Sequence, residues 1–329
     1  MKTKIGGKEL IEEAAELIRK GEVVAFPTET VYGLGADAFN AEAVAKIFKA
    51  KGRPADNPLI VHLFSKDQLN KVAKDIPEEA YILIDIFTPG PLTLILNKHP
   101  DIPSITTSGL NTVGIRFPNN ELARMLLSKS NTPIAAPSAN ISGRLSPTTG
   151  QAVYEDMDGK IPMILDGGKS QVGIESTVLD LTKKPYTILR PGAISASMLV
   201  PYLLEVKNFK GEVKVAASPG MKYQHYAPKC ICVGAKLQDR AIMHYKKIAN
   251  DKCNRPVIIG NLNFIKDLPV NIETLSLGDS VEECMSSFFD TLRYAEKKYN
   301  YIILQNFGDF PDFFSLNNRI EKATSHIIV

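Results

Sequence analysis

The sequence predicts an α+β N-terminal domain on a large mixed, twisted sheet, linked to a small α/β, Rossmann-like C-terminal domain. Three observations carry this prediction. Between residues 91 and 192, strand patterns follow one another ("PLTLIL", "TVGIRFP", "PIAAPSAN", "PMILDGG", "STVLDLT", "YTILRPG"), with helical patterns only at 121–128 and 149–156. Consecutive strands with interspersed helices build a mixed sheet rather than a regular βαβ array. Residues 206–229 are polar, carry Gly and Pro and hold no sustained periodicity, which marks a linker. Beyond them strand and helix alternate, as in a mainly parallel sheet. The predicted boundaries are 1–205, 206–229 and 230–329. A chain of 329 residues suits two domains at roughly 100–200 residues each.

The elements follow in order. Leu10, Ala14, Leu17 and Ile18 recur at helical spacing, and Gly21 closes that helix. "VVAFPT" (23–28) is a strand ended by proline. In the helix at 41–52, Val44, Ile47 and Phe48 share one face, and Gly52 and Pro54 stop it. "PLIVHLF" (58–64) is a strand, followed by helical stretches at 66–74 and 78–87 and the strand-rich run above. In the C-terminal part, "CICVGA", "PVIIGN" and "YIILQ" are strands. Helices are expected near 236–249, at 280–297 and near 315–325. Val281, Met285, Phe288, Phe289, Leu292 and Ala295 stripe one face of the second of these, which reads as core.

Composition narrows the function. Hydrophobic residues make up 44% and charged residues 23%, ordinary values for a globular protein. The net charge of +3 is too small to imply nucleic-acid binding alone, so any basic patch is local. The cysteines, Cys230, Cys232, Cys253 and Cys284, lack zinc-finger spacing and read as reduced thiols in a cytoplasmic protein. The N-terminus lacks the apolar stretch of a signal peptide. No apolar run approaches the ~18 residues that mark a membrane span.

The chemistry concentrates in short polar clusters. "KAKGRPADNPLIVH" (49–62) places Lys51 and Arg53 about a helix end, beside Pro54 and Pro58. Cations there complement the helix dipole. A rigid pair projecting from an exposed helix end also suits a small oxyanion. For His62, inside an apolar strand, core packing and ligand contact are both open. "PTETVYGLG" (27–35) sets Thr28, Thr30 and Tyr32 on alternate positions, facing one way if the strand continues, and its glycines permit close approach of a ligand. Arg116, between Ile115 and Phe117, needs an anion, whether a protein carboxylate or a ligand. "APSANISG" aligns Ser138, Asn140 and Ser142 at period two. "GIEST" and "LRPG" add Ser176 and Arg190.

No P-loop, nucleophile elbow or metal-ligand spacing is present. Four cations and many hydroxyls, with few candidate general bases, suit a site that holds several anions. Such a site works by positioning and charge stabilisation, as in nucleotidyl or phosphoryl transfer.

"PTETVYGLGADA", "KGRPADNPLIVH", "PGPLTLIL", "TVGIRFP", "APSANISG", "GIESTVLD" and "ILRPGA" together resemble the L-threonylcarbamoyladenylate synthase family. They span about residues 8–200, the YrdC-like domain. "SPGMKYQHYAPK" and the α/β tail resemble its two-domain form. The resemblance implies that L-threonine, bicarbonate and ATP give threonylcarbamoyl-adenylate and pyrophosphate. The product then serves a separate transferase complex that modifies adenosine 37 of tRNA. It implies L-threonine contacts at Thr30, His62, Arg116 and Ser176. Nucleotide contacts would be Arg53, Asn57, Thr112, Ser138, Asn140, Ser146, Arg190 and Tyr226. Lys51 and Arg53 would be catalytic, holding bicarbonate or the derived carbamate. Mg2+ would arrive with ATP, without a metal site of the protein's own, and the "HYAP" segment would act as a lid. The competing expectation is an RNA-binding module that recognises double-stranded or tRNA shape, with tRNA as a direct partner.

Overall fold

A computed structural model describes residues 2–209 and 226–329. Two compact units result. The first comprises Met1–Ser142, Pro147–Gln171 and the described part of Glu175–Lys222. The second comprises Gly143–Ser146, Val172–Ile174 and the described part of Tyr223–Val329.

The first unit runs β1 (Lys4–Gly6), α1 (Ile11–Arg19), β2 (Val24–Phe26), β3 (Gly33–Asp37), α2 (Ala41–Lys51), β4 (Ile60–His62), α3 (Leu69–Val72), β5 (Ala73–Lys74), α4 (Glu78–Phe87), β6 (Leu92–Lys98) and β7 (Thr112–Arg116). It continues with α5 (Glu121–Ser130), β8 (Ile134–Ala136), α6 (Gly150–Met157), β9 (Met163–Leu165), β10 (Thr177–Asp180), β11 (Tyr186–Arg190), α7 (Ala196–Leu199) and β12 (Val206–Asn208). The strands form one twelve-stranded mixed sheet in the order β1-β9-β2-β3-β8-β4-β7-β6-β10-β11-β12, with β5 on β6.

Helix boundaries follow local chemistry. Asn40 accepts from the Glu42 and Ala43 amides at the start of α2, and Gly52, at φ 60°, ends it in the left-handed conformation. On one sheet face, Ile11, Ala14 and Ile18 of α1 and Leu126 and Leu127 of α5 pack on Phe26, Ile134 and Ala136. On the other, Val44, Ile47 and Phe48 of α2, Leu83 and Ile84 of α4 and Val153 and Met157 of α6 cover Leu34, Val61, Leu94, Val113 and Ile115. Burying both faces is what makes these strands read as continuous apolar runs.

The second unit contains β13 (Ile231–Ala235), α8 (Gln238–Ala249), β14 (Pro256–Gly260), α9 (Leu262–Ile265), β15 (Thr274–Ser276), α10 (Val281–Lys298), β16 (Tyr301–Gln305) and α11 (Phe314–Ala323). Its sheet, β13-β16-β14-β15, is wholly parallel, as a Rossmann-like alternation requires. A capping box of Ser280 and Glu283 opens α10. The expected stripe holds at Met285, Phe288, Phe289, Leu292 and Ala295, all buried; Val281, at the first turn, is half-buried. Among the described residues, no helix is long and apolar enough to cross a membrane.

Local differences from the sequence reading have simple causes. β1, β12 and β15 were not foreseen, because three residues carry no usable periodicity; β12 lies where the linker was expected to begin and instead pairs with β11 at the sheet edge. The alternation expected at 27–32 stops at Phe26, because the Thr28 hydroxyl accepts from the Thr30 and Val31 amides and turns the chain.

Candidate functional site

The end of α2 positions the first cluster. Lys51 is 2% exposed, and its Nζ donates to the carbonyls of Ser138 at 2.6 Å and Asn140 at 2.5 Å. The Ser138 hydroxyl donates to Asn140 Oδ1 at 2.5 Å. Arg53, 9% exposed, donates from Nη2 to the Asn57 carbonyl at 3.0 Å. Both cations were expected to project from an exposed helix end, and both are buried instead. The segment after β8 crosses that end, and the Ser142 amide bonds to the Lys51 carbonyl at 2.9 Å. Burial and the neighbouring Arg53 hold the Lys51 ammonium well below its ordinary pKa, and Asp156 opposes them.

Asn57 is fully buried, with no hydrogen-bond partner for either side-chain amide atom. Thr112 opens β7. Since Ile60 pairs with Gly114 in parallel, Thr112 stands level with Pro58, on the Asn57 side. β8 leads into Ser138, which bridges to Gly33.

Strand register builds the second cluster. His62 pairs with Arg116, Arg116 with Thr93, Thr93 with Val178, and Val178 with Arg190. These five residues form one row across β4, β7, β6, β10 and β11. Paired residues share a sheet face, so His62, Arg116, Thr93 and Arg190 project to the same side. Ser176, just before β10, joins the row. Its hydroxyl lies 2.8 Å from that of Thr93 and accepts from Arg190 Nη2 at 3.1 Å, while its carbonyl accepts from Arg190 Nε at 3.1 Å.

Arg116 has a protein carboxylate beside it: Nη2 lies 2.8 Å from Glu29 Oε1, with both side chains about 95% buried. The Asn119 amide donates to Glu29 Oε2 at 3.0 Å. His62 packs edge-on to Phe26 with ring centroids 5.7 Å apart, and burial together with Arg116 pushes its pKa down to about 3. The imidazole is therefore neutral at physiological pH.

In the preceding turn the Thr30 and Thr28 hydroxyls meet at 2.9 Å. Tyr32 does not join them, because its hydroxyl turns toward the Gly168 carbonyl at 2.7 Å and Asp166 Oδ1 at 3.0 Å. Nor do the glycines of "YGLG" leave room for a ligand on their open side. A Cβ on Gly33 would lie 3.2 Å from the Phe26 ring, and one on Gly35 2.7 Å from it, so that space belongs to Phe26.

Ser146 and Tyr226 belong to the second unit. Ser146 is 1% exposed. Beside it in sequence, Arg293 Nη2 donates to the Leu145 carbonyl at 2.5 Å, and Arg144 pairs with Glu296. The Tyr226 ring sits 5.3 Å from that of Phe289, with the Arg319 guanidinium 5.9 Å and the Lys322 ammonium 5.8 Å from its centroid. Of the expected lid segment, His225 and the residues before it back to 210 lie outside the described residues.

The comparisons with known proteins agree along the whole chain. Residues 16–192 match the family described as "Telomere recombination", and residues 194–325 match "Threonylcarbamoyl-AMP synthase, C-terminal domain". The threonylcarbamoyl-AMP synthase of Pyrococcus abyssi is 42% identical over 339 residues, covering 99% of this chain and 98% of that one. The Bacillus subtilis synthase is 40% identical over 334 residues, covering 97% and 94%. The crystal structure of P. abyssi Sua5 complexed with L-threonine superposes with a TM-score of 0.92 at 40% identity, covering 99% of this chain and 98% of that chain.

The chain belongs to the threonylcarbamoyl-AMP synthase family. It is a nucleotidyltransferase that makes threonylcarbamoyl-adenylate from ATP, L-threonine and bicarbonate, for the t6A modification of tRNA. The mixed sheet with its smaller α/β partner is the architecture of that family.

Two residues of this cluster escaped sequence reasoning. Thr93, in "PLTLIL", reads as a strand filler. Glu29 reads as one polar residue of a motif, and the anion that Arg116 demands could not be named without the fold. Among the described residues, no group of three His, Cys, Asp or Glu side chains could hold a metal ion.

Proposed function

We propose that this chain divides its substrates between the two clusters of the first unit. L-threonine binds at the row, with its carboxylate on Arg116 and its remaining polar groups near Thr30, His62 and Ser176. ATP binds along Asn57, Thr112, Ser138, Asn140, Arg53 and Arg190. Lys51 and Arg53 hold bicarbonate and the carbamate derived from it. For Ser146 and Tyr226 the nucleotide role, and the lid with it, rests on family resemblance.

The observation that carries this reading is the row itself: His62, Arg116, Thr93 and Arg190 aligned on one sheet face, with Ser176 bonded to two of its members. It supports a receptor for more than one anion, because carboxylate, bicarbonate and triphosphate repel one another unless cations intervene. The P. abyssi relative was solved with L-threonine, which supports the same ligand here.

In the reaction, the free amine of threonine attacks bicarbonate or the CO2 derived from it. A carbamate oxygen then attacks the α-phosphorus of ATP, and pyrophosphate leaves. The neutral His62 acts as a hydrogen-bonding group rather than a cation. Mg2+ would accompany the triphosphate and offset part of its charge. The product passes to a separate tRNA threonylcarbamoyl transferase complex. The four free cysteines support a reducing, cytoplasmic setting.

Pyrophosphate release with each substrate omitted in turn tests the reaction: release collapses without threonine or without bicarbonate, and release indifferent to both overturns it. Arg116→Lys tests the threonine assignment. It is expected to raise KM for threonine at least about tenfold, or about 1.4 kcal/mol, and to leave KM for ATP nearly unchanged. An unchanged KM for threonine removes Arg116 from that role.

A further inference from the structure

We infer that Glu29 receives the ammonium group of L-threonine and takes its proton as the nitrogen attacks bicarbonate. This rests on the reading that Arg116 holds the threonine carboxylate.

The argument begins with atoms left over. Glu29 and Arg116 are each 4% exposed and form an ion pair at 2.8 Å, yet the contact does not satisfy them. Glu29 Oε1 has no hydrogen-bond partner, and neither have Nε and Nη2 of Arg116, so the pairing is ionic and off hydrogen-bond geometry. Buried charges keep such unused positions at a cost, and in enzymes that cost is often met by a ligand.

The unused positions are complementary: one acceptor and two donors, on opposite charges, side by side. An α-amino acid carries its ammonium and carboxylate about 3 Å apart across one carbon, which matches that pair. The carboxylate takes the Arg116 donors and the ammonium gives to Glu29 Oε1. Glu29 is held for this task from both sides. Its Oε2 accepts from the Asn119 amide, and its backbone lies in the turn made by the Thr28 hydroxyl.

The chemistry needs such a group, because an ammonium has no lone pair. One nitrogen proton goes to Glu29 as the C–N bond forms. A second leaves with the bicarbonate hydroxyl as water. The third stays on the carbamate nitrogen. Glu29 then returns its proton to solvent, and charge balances.

Glu29→Gln is the test, with pyrophosphate release followed from about pH 7 to about pH 9.5. Among the described residues, Arg116 on β7 is the charged group paired with Glu29, and His62 on β4 stands next to Arg116 in the row. His62, held near 3, stays neutral over that range and adds nothing to the profile. Loss of a positioned base is expected to lower kcat about 100-fold near neutrality. The deficit narrows as pH rises and the amine sheds its proton to solvent. KM for ATP is unchanged.

A folded Glu29→Gln enzyme that keeps its kcat, whatever stability it loses, or that shows the same deficit at every pH, overturns the proposal. Should the Gln variant not fold, Glu29→Asp decides. It keeps the charge but retracts it by one methylene, so reduced kcat with a wild-type-shaped pH profile supports the assignment and wild-type kcat sinks it. Failure of the threonine reading is distinguishable, since it shows as an Arg116→Lys enzyme with unchanged KM for threonine.

Discussion

Replacing Arg116 by Met isolates a buried carboxylate, and the energy involved follows from the geometry. The two charges stand 2.8 Å apart with about 95% of each side chain removed from solvent. At an effective dielectric of about 20, the attraction at that distance is about 6 kcal/mol. Removing each ion from water costs several kcal/mol, so the intact pair contributes little net stability. Breaking it differs, because Glu29 stays buried without its countercharge. Arg116→Met is expected to lose about 3–5 kcal/mol. Adding Glu29→Gln removes the stranded charge, so the double variant regains most of that loss. Urea denaturation of wild type, both single variants and the double variant gives the coupling energy directly. The reasoning fails if Arg116→Met costs less than about 1 kcal/mol, or if the double variant loses the sum of the two single losses.

Two further outcomes follow from buried titratable groups. The unfolded chain binds a proton at the ordinary His62 pKa of 6.5, and the folded chain refuses it until about 3. Stability tied to His62 is therefore complete above about pH 6.5 and falls as acidification proceeds toward 3. Between pH 7 and about pH 4.5, wild type should lose about 2–3 kcal/mol more than His62→Gln, measured by urea denaturation; parallel losses would contradict a neutral buried imidazole. In the second unit, Glu296, with its side chain 4% exposed, pairs with Arg144 and accepts from the Lys229 amide at 2.8 Å. Glu296→Ala is expected to cost about 3 kcal/mol, read as a lower melting temperature; an unmoved melting temperature would show the pair to be idle.

Much of this was legible because the signals are local. Val44, Ile47 and Phe48 declared the buried face of α2, and Gly52 declared its end, since only the left-handed conformation closes a helix that way cheaply. The strands of the first unit declared themselves as apolar runs, because helices bury both faces of much of the sheet. The cations and hydroxyls that make up the two clusters were likewise visible as residue types with no other evident task. Lys51 was misjudged as exposed, since a helix end looks open until another segment of chain crosses it. Thr28, Thr30 and Tyr32 were misjudged as one face of a strand, since a hydroxyl bonding to the amides that follow it competes with extension.

The order of residues alone determined that this chain makes a mixed-sheet domain and a parallel α/β domain, and that it carries cations suited to several anions. Periodicity, turn residues and composition act over a few positions, so they survive in a linear text. Only the tertiary structure decided that His62, Arg116, Thr93 and Arg190 stand in one row, that Ser176 bonds into it, and that Glu29 is the carboxylate beside Arg116. Strand order and register join segments far apart in the chain, and which buried charge meets which is settled by that pairing.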